Sequence, residues 1–372
     1  MSISPFLSVF LATFLMGLVV IVTERWHGHF SLDGIDGVQK HHDEPTPRIG
    51  GLAVAAGLAT AWLVTTGEEH QIIKVILLAG MPALLFGLAE DVTKKVGVLP
   101  RLLATMASGA LAWYMTGVAM QNTGLPPLDI ALQYLPLAVV FTAFAVGGVA
   151  NSINIIDGFN GLASGCVANM IGALGVMSLH AGDTSFARVC FLATCCALGF
   201  AAVNWPLGKI FLGDGGAYLL GFVLAWLAVL LPMRNVGINA WATILVCAYP
   251  VIEVGSSVLR RRKRDGHHPG QPDNVHLHHL VNRRIIRKLL PSLSRTMQNG
   301  MTSPICWILT ALPASWAIYF AKNTPMLMLG FCLEVVVYMA LYARLSQFRW
   351  CISAVTLNKT STTKGLQPKL PF

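Results

Sequence analysis

Charge is scarce in this chain of 372 residues: Asp, Glu, Lys and Arg supply 12% of it, about half the roughly 25% of an ordinary soluble domain. With 55% apolar residues and a mean hydropathy of +0.63, that shortage excludes a water-soluble globular protein and gives a membrane protein instead. Acidic residues are scarcer still, 17 against 26 Lys and Arg, so each carboxylate next to an apolar run stands out. There is no CxxC pair and no metal-like spacing among the eight Cys, which lie mostly inside apolar runs (Cys166, Cys190, Cys195, Cys196, Cys332) and read as packing residues. No internal repeat is visible. The first apolar run, 5–23, has no basic stretch ahead of it and exceeds the roughly 7–15 residues of a cleavable signal, so it reads as a retained span.

What the chain has in plenty is apolar runs near the roughly 20 residues that a helix needs to cross a bilayer. Eleven are visible: 5–23, 49–66, 72–89, 102–120, 136–155, 161–180, 186–203, 216–232, 238–257, 303–321 and 325–343. Backbone polar groups in lipid must be satisfied within the segment, so the expected fold class is an all-α polytopic membrane protein with about 10–11 transmembrane helices. Placing the N-terminus outside and the C-terminus in the cytoplasm puts 22 of the 26 Lys and Arg on the inner side, as the positive-inside rule requires. The excess of basic charge is then topology rather than nucleic-acid binding. Residues 1–345 read as one transmembrane catalytic domain, with cytoplasmic loops 24–48, 90–101, 156–160, 204–215 and 258–302; 346–372 reads as a disordered cytoplasmic tail.

Every rich polar cluster falls on that inner side. Asp91, Asp157 and Asp214 stand at the ends of apolar helices, the last two in Gly-rich turns that let a phosphate or a metal approach the backbone. Glu90-Asp91 with Lys94 also fits a solvated helix end with an i, i+3 ion pair. Three carboxylates on one membrane face make a functional cluster, and hard oxygen donors suit Mg²⁺, which binds one or two carboxylates together with waters and substrate phosphates. The His276-Leu277-His278-His279 stretch lacks the Cys or carboxylates that would complete a zinc tetrahedron, so phosphate contact is favoured over zinc. His267 and His268 in the same loop read as surface residues. Arg48, at a helix start after a Pro-rich turn, either holds a phosphate or snorkels.

In order along the chain, PTPRIGG (45–51), LAEDVTKK (88–95), NSINIIDGFNGLASG (151–165), FLGDGGAYLLG (211–221), PVIEVGSSVLRRR (250–262) and HLHHL (276–280) resemble the polyprenyl-phosphate N-acetylhexosamine-1-phosphate transferases. That superfamily also contains the phospho-muramoyl-pentapeptide transferase. The resemblance implies that a lipid phosphate, undecaprenyl phosphate, attacks the β-phosphate of a UDP-N-acetylhexosamine, giving a polyprenyl-diphosphate sugar and UMP. It implies Mg²⁺, with Mn²⁺ as an alternative, and a bacterial inner-membrane enzyme whose active site faces the cytoplasm; it also allows a homodimer. By position it assigns Asp214 and Asp157 to the metal, Asp91, Asp157, Lys94 and Glu90 to catalysis, and Lys40, Arg48, Asn154, Asn160, His276, His278 and His279 to substrate. Two positions depart from the family pattern: Glu90 stands where the first of two paired Asp is usual, and Asn160 where an acid is often found. The pentapeptide transferase differs by a Met in place of Pro-Arg in the first loop and by three consecutive His. A secondary transporter, the reading from another class, would place Glu253 and Glu334 on an ion path, but the charges gather at one face and no repeat halves are seen.

Overall fold

The structure, a computed structural model, describes residues 3–33, 45–262 and 275–347. It is built of helices, as the long apolar segments demand. Among the described residues seven helices are long and apolar enough to cross a bilayer: Ser4–Val22, Leu135–Ile156, Leu162–Ala181, Thr184–Asn204, Gly213–Arg234, Arg295–Tyr319 and Thr324–Ser346. Two bent pairs raise the number to nine: Gly67–Ala79 with Met81–Thr93, bent by 41°, and Ala240–Val246 with Ala248–Arg262, bent by 71°. Pro82 and Pro250 lie just past these breaks, where the missing N–H withholds a helical hydrogen bond. The other two of the eleven sequence segments are also helices. Gly51–Val64 is only 14 residues long, and Val98–Thr116 carries Arg101, Thr105 and Ser108, which dilute its apolar character.

Gly213–Arg234 is the axis of the molecule. Its apolar window is 89% buried inside the protein, against 22% for Ser4–Val22 and 17% for Thr324–Ser346. A helix apolar on every side belongs in an interior, whereas the outer helices turn Leu7, Leu11, Leu15, Val336 and Val337 outward. Lipid tails are as apolar as leucine, so close packing and not water exclusion draws such helices together. The closest approach lies at the start of the axis: a Cβ on Gly87 would stand 2.5 Å from the Gly215 Cα and N, so only glycine lets Met81–Thr93 meet the axis backbone there.

The polar ends are stitched across elements. A two-stranded antiparallel ribbon pairs Leu32 with Pro47 and Asp33 with Thr46. Beyond it the Arg48 N–H donates to Ser31 O at 2.8 Å, Phe211 N–H to Pro47 O at 2.8 Å, and Gly50 N–H to Phe211 O at 3.0 Å, which docks the first loop on the 204–212 turn. At the opposite end Arg234 pairs with Glu68 at 2.8 Å and Asp183 at 2.9 Å, and Arg188 with Glu69 at 3.1 Å. The connections that look bland in the sequence therefore carry the ion pairs of that end.

Candidate active site

Four elements place the inner-face residues within reach of one another. Asp91, near the C-terminal end of Met81–Thr93, has no solvent exposure. Its Oδ1 accepts from Asp214 N–H at 2.8 Å and its Oδ2 from Gly215 N–H at 2.9 Å, so it caps the N-terminus of the axis helix with both oxygens. Arg48 Nε lies 3.1 Å from the same carboxylate. Asp91 therefore fixes the backbone that carries Asp214.

Asp214 is held by side chains. Its Oδ1 accepts from Arg48 Nη2 at 2.8 Å and from Asn154 Nδ2 at 3.1 Å, and its Oδ2 is paired with Arg101 Nη1. Tyr218, one turn along the axis helix, donates its hydroxyl to Asn154 Oδ1 at 3.2 Å, which orients the amide. Burial works against the Arg48 charge, but Asp214, Asp91 and Asp33 outweigh it and hold the guanidinium protonated.

Asp157 ends Leu135–Ile156 and is half-buried. Among the described residues no hydrogen bond or ion pair engages its carboxylate, although Arg48, Asp214 and Asp91 are close enough to act on its charge. Burial, against the pull of Arg48 and with the repulsion of Asp214 and Asp91, pushes its carboxyl up to about 7. This partly buried acid lies near Arg48 and is the open donor of the group. No three His, Cys, Asp or Glu side chains gather as a cage among the described residues. The donors present for a hard cation are Asp157, and Asp214 once an arginine moves off it.

The other acids and Lys94 of the sequence reading sit at the edge. Glu90 Oε2 accepts from Val96 N–H at 2.7 Å and so ties the turn after its own helix. Lys94, at a left-handed φ of 55°, reaches Asp33 at 3.8 Å, and burial together with Arg48 lowers its ammonium below the ordinary value. Asn160 is 4% exposed: its Nδ2 donates to Pro206 O at 3.0 Å, its N–H to Asn299 Oδ1 at 2.7 Å, and its carbonyl accepts from Ser303 at 2.6 Å. Lys40, His267 and His268 lie outside the described residues.

The histidines close the cluster. His276, His278 and His279 are buried at the start of Leu277–Val281, with His276 stacked on His278 at 5.3 Å and His278 tilted by 43° against His279 at 4.5 Å. Phe159, two residues after Asp157, sets its ring edge-on to His278 at 5.6 Å and to His279 at 5.4 Å, which joins the His segment to the central loop. Arg101 and Tyr218 were not singled out in the sequence. The signal for Arg101 was a lone cation at the start of an otherwise uncharged helix; Tyr218 lies within a matched motif and offered none.

The site is thus a set of acids threaded with arginines, beside buried histidines, at one end of a membrane-type bundle. The glycosyl transferase family 4 profile matches residues 73–232, the stretch that carries Asp91, Asn154, Asp157 and Asp214. The chain is 27% identical over 308 residues to the undecaprenyl-phosphate α-N-acetylglucosaminyl 1-phosphate transferase of Yersinia pestis, covering 80% of this chain and 82% of that one. It is 26% identical over 336 residues to the decaprenyl-phosphate N-acetylglucosaminephosphotransferase of Mycolicibacterium smegmatis, covering 81% and 79%. The Escherichia coli K12 undecaprenyl-phosphate α-N-acetylglucosaminyl 1-phosphate transferase is 27% identical over 283 residues, covering 74% and 72%.

Proposed function

We propose that the chain, whose residues 73–232 match the glycosyl transferase family 4 profile, is a transferase of that family and that it transfers N-acetylglucosamine 1-phosphate, or a closely related N-acetylhexosamine phosphate, from a UDP-sugar to undecaprenyl phosphate. An oxygen of the lipid phosphate forms a bond to the β-phosphorus of the UDP-sugar. The bond from that phosphorus to the bridging oxygen breaks, and its electrons leave with UMP. The observation that carries this reading is the open Asp157 carboxylate beside Arg48, Asp91 and Asp214. Guanidiniums that neutralise Asp214 can pair with phosphate oxygens, for which their planar forks are suited.

The hard oxygen donors fit Mg²⁺, with Mn²⁺ as a substitute, held by Asp157 and Asp214 together with waters and substrate oxygens. Bound there, the cation would neutralise charge on the diphosphate as the bridging bond breaks. The chain's own part is positioning. Asp91 locks the helix start that presents Asp214, Asn154 turns the Asp214 carboxylate, Arg48 and Arg101 take phosphate charge, and the histidines line the side toward the diphosphate. A phosphate monoester is already largely ionised near pH 7, so the attacking lipid needs little help from a base. The cytoplasmic orientation of this face and an inner-membrane location are part of the same proposal, and so is a homodimer.

Purified protein in lipid nanodiscs should release UMP from UDP-N-acetylglucosamine only when undecaprenyl phosphate and Mg²⁺ are both present, and chelation should stop it. Absence of UMP from a panel of UDP-N-acetylhexosamines would overturn the reading. Asp214→Asn should remove turnover in a protein that still folds, with a lower melting temperature because Arg48 and Arg101 lose their shared carboxylate.

A further inference from the structure

Glu253 is fully buried near the middle of Ala248–Arg262, yet it is densely contacted. Its Oε1 lies 2.9 Å from His276 Nδ1, its Oε2 accepts from Leu277 N–H at 3.0 Å, and Arg260 Nη2 stands 3.6 Å away. Its charge also reaches Tyr249 on the same helix and Cys306 and Tyr338 on neighbouring ones. One carboxylate thus starts Leu277–Val281 and grips the first histidine of the cluster.

The grip has a chemical consequence. A carboxylate only accepts hydrogen bonds, so the contact requires the proton on His276 Nδ1 and sets the tautomer of the ring. The other nitrogen, Nε2, has no hydrogen bond to a described residue. His276 stacks at 13° on His278, which with His279 rests on Phe159 next to Asp157. Its ring is therefore fixed on one side by Glu253 and in plane by its neighbours, and Nε2 is the atom left to meet a ligand.

We propose that Glu253 is a positioning residue, which fixes the tautomer and orientation of His276 so that Nε2 contacts the diphosphate of the UDP-sugar. This rests on the transfer reaction proposed above. The same logic, an acid that orients an imidazole without itself touching the substrate, operates in other phosphoryl- and acyl-transfer sites. The Arg260 charge compensates the buried acid, which makes the pair tolerable in a low-dielectric interior.

The test is a double-mutant cycle in the UMP-release assay, with both KM values measured. Glu253→Gln should lower kcat/KM for the UDP-sugar roughly tenfold to a hundredfold, the range of a charge-assisted hydrogen bond. The KM for undecaprenyl phosphate should stay within about twofold. In a His276→Gln background, Glu253→Gln should add little further loss. Independent, multiplying losses, or equal rises in both KM values, would overturn the proposal and leave Glu253 a purely structural acid. If Glu253→Gln fails to accumulate, Glu253→Asp enters the same cycle and is judged by the same two outcomes. A wild-type protein with no transfer activity would instead sink the reaction itself, so the two failures are distinguishable.

Discussion

Asn160 is where a single atom decides between two side chains of nearly equal shape. Its Nδ2 donates to Pro206 O and its backbone joins Asn299 and Ser303, so the residue ties the central loop to the 204–212 turn and to the start of Ser303–Tyr319. An acid cannot donate, and Asn160→Asp would press a carboxylate oxygen against the Pro206 carbonyl. We expect about 1–3 kcal/mol of lost stability, read as a lower melting temperature in detergent. An unchanged melt would remove the donor role. Asp157 supplies the complementary test by pH. Its carboxyl is raised from an ordinary 3.8 to about 7 by burial, against Arg48, with Asp214 and Asp91 adding to the rise. The folded state then holds a proton that the unfolded state has lost, so this group's contribution to the stability of the metal-free protein is full below about 4 and disappears as pH rises through about 7. Cation binding competes with that proton, and Mn²⁺ affinity should climb up to about pH 7 and level off above it. Asp157→Asn should flatten the climb, measured by titration of the purified protein; an unaltered slope would take Asp157 out of the cation site.

At the scale of elements, the turn into the axis helix shows both what the sequence carried and what it hid. Gly213 has a φ of +71°, and a Cβ there would lie 2.1 Å from Arg48 O and 2.6 Å from Asp91 Oδ2. Gly213→Ala thus strains the backbone by about 1–2 kcal/mol and also pushes against both partners that hold Asp214. We expect loss of UMP release together with a lower melting temperature. A Gly213→Ala protein of normal rate would show that the tight docking is dispensable. The helices and the one-face location of Asp91, Asp157 and Asp214 were legible because apolar length and charge position are written locally in the chain. Their division of labour was not. Asp91 as a helix cap, Glu90 as the anchor of the Val96 turn and Asn160 as a loop tie depend on partners that, for Asp91 and Asn160, are more than a hundred residues away. The bends at 41° and 71° were also out of reach, since hydropathy reports that a segment is apolar and not whether its axis continues. Arg101 was hidden in the same way, because its acid lies 113 residues on.

On the scale of the whole molecule, the antiparallel run of helices sorts polarity into two ends. One gathers Arg48, Asp91, Arg101, Asp157, Asp214 and the histidines; the other gathers Glu68, Glu69, Asp183, Arg188 and Arg234. Surface pairs such as Arg234 with Glu68 are each worth little on their own, roughly 0–1 kcal/mol, and they join the helix ends on the side away from the proposed active site. The basic residues of the chain lie overwhelmingly in the loops of the first end and in the stretch from 344 onward, 22 of 26 by position in the sequence. A bilayer retains such loops on the cytoplasmic side. The proposed reaction consumes a cytoplasmic nucleotide sugar, so it requires this end to face the cytoplasm. A fluorescent protein that matures only in the cytoplasm should therefore glow when fused after Phe372, and a reporter active only outside the membrane should work when inserted beside the fully exposed Val236 of the opposite end. The reverse pattern would invert the molecule, place the acid and arginine cluster on the far face, and separate it from the UDP-sugar that the proposed reaction consumes.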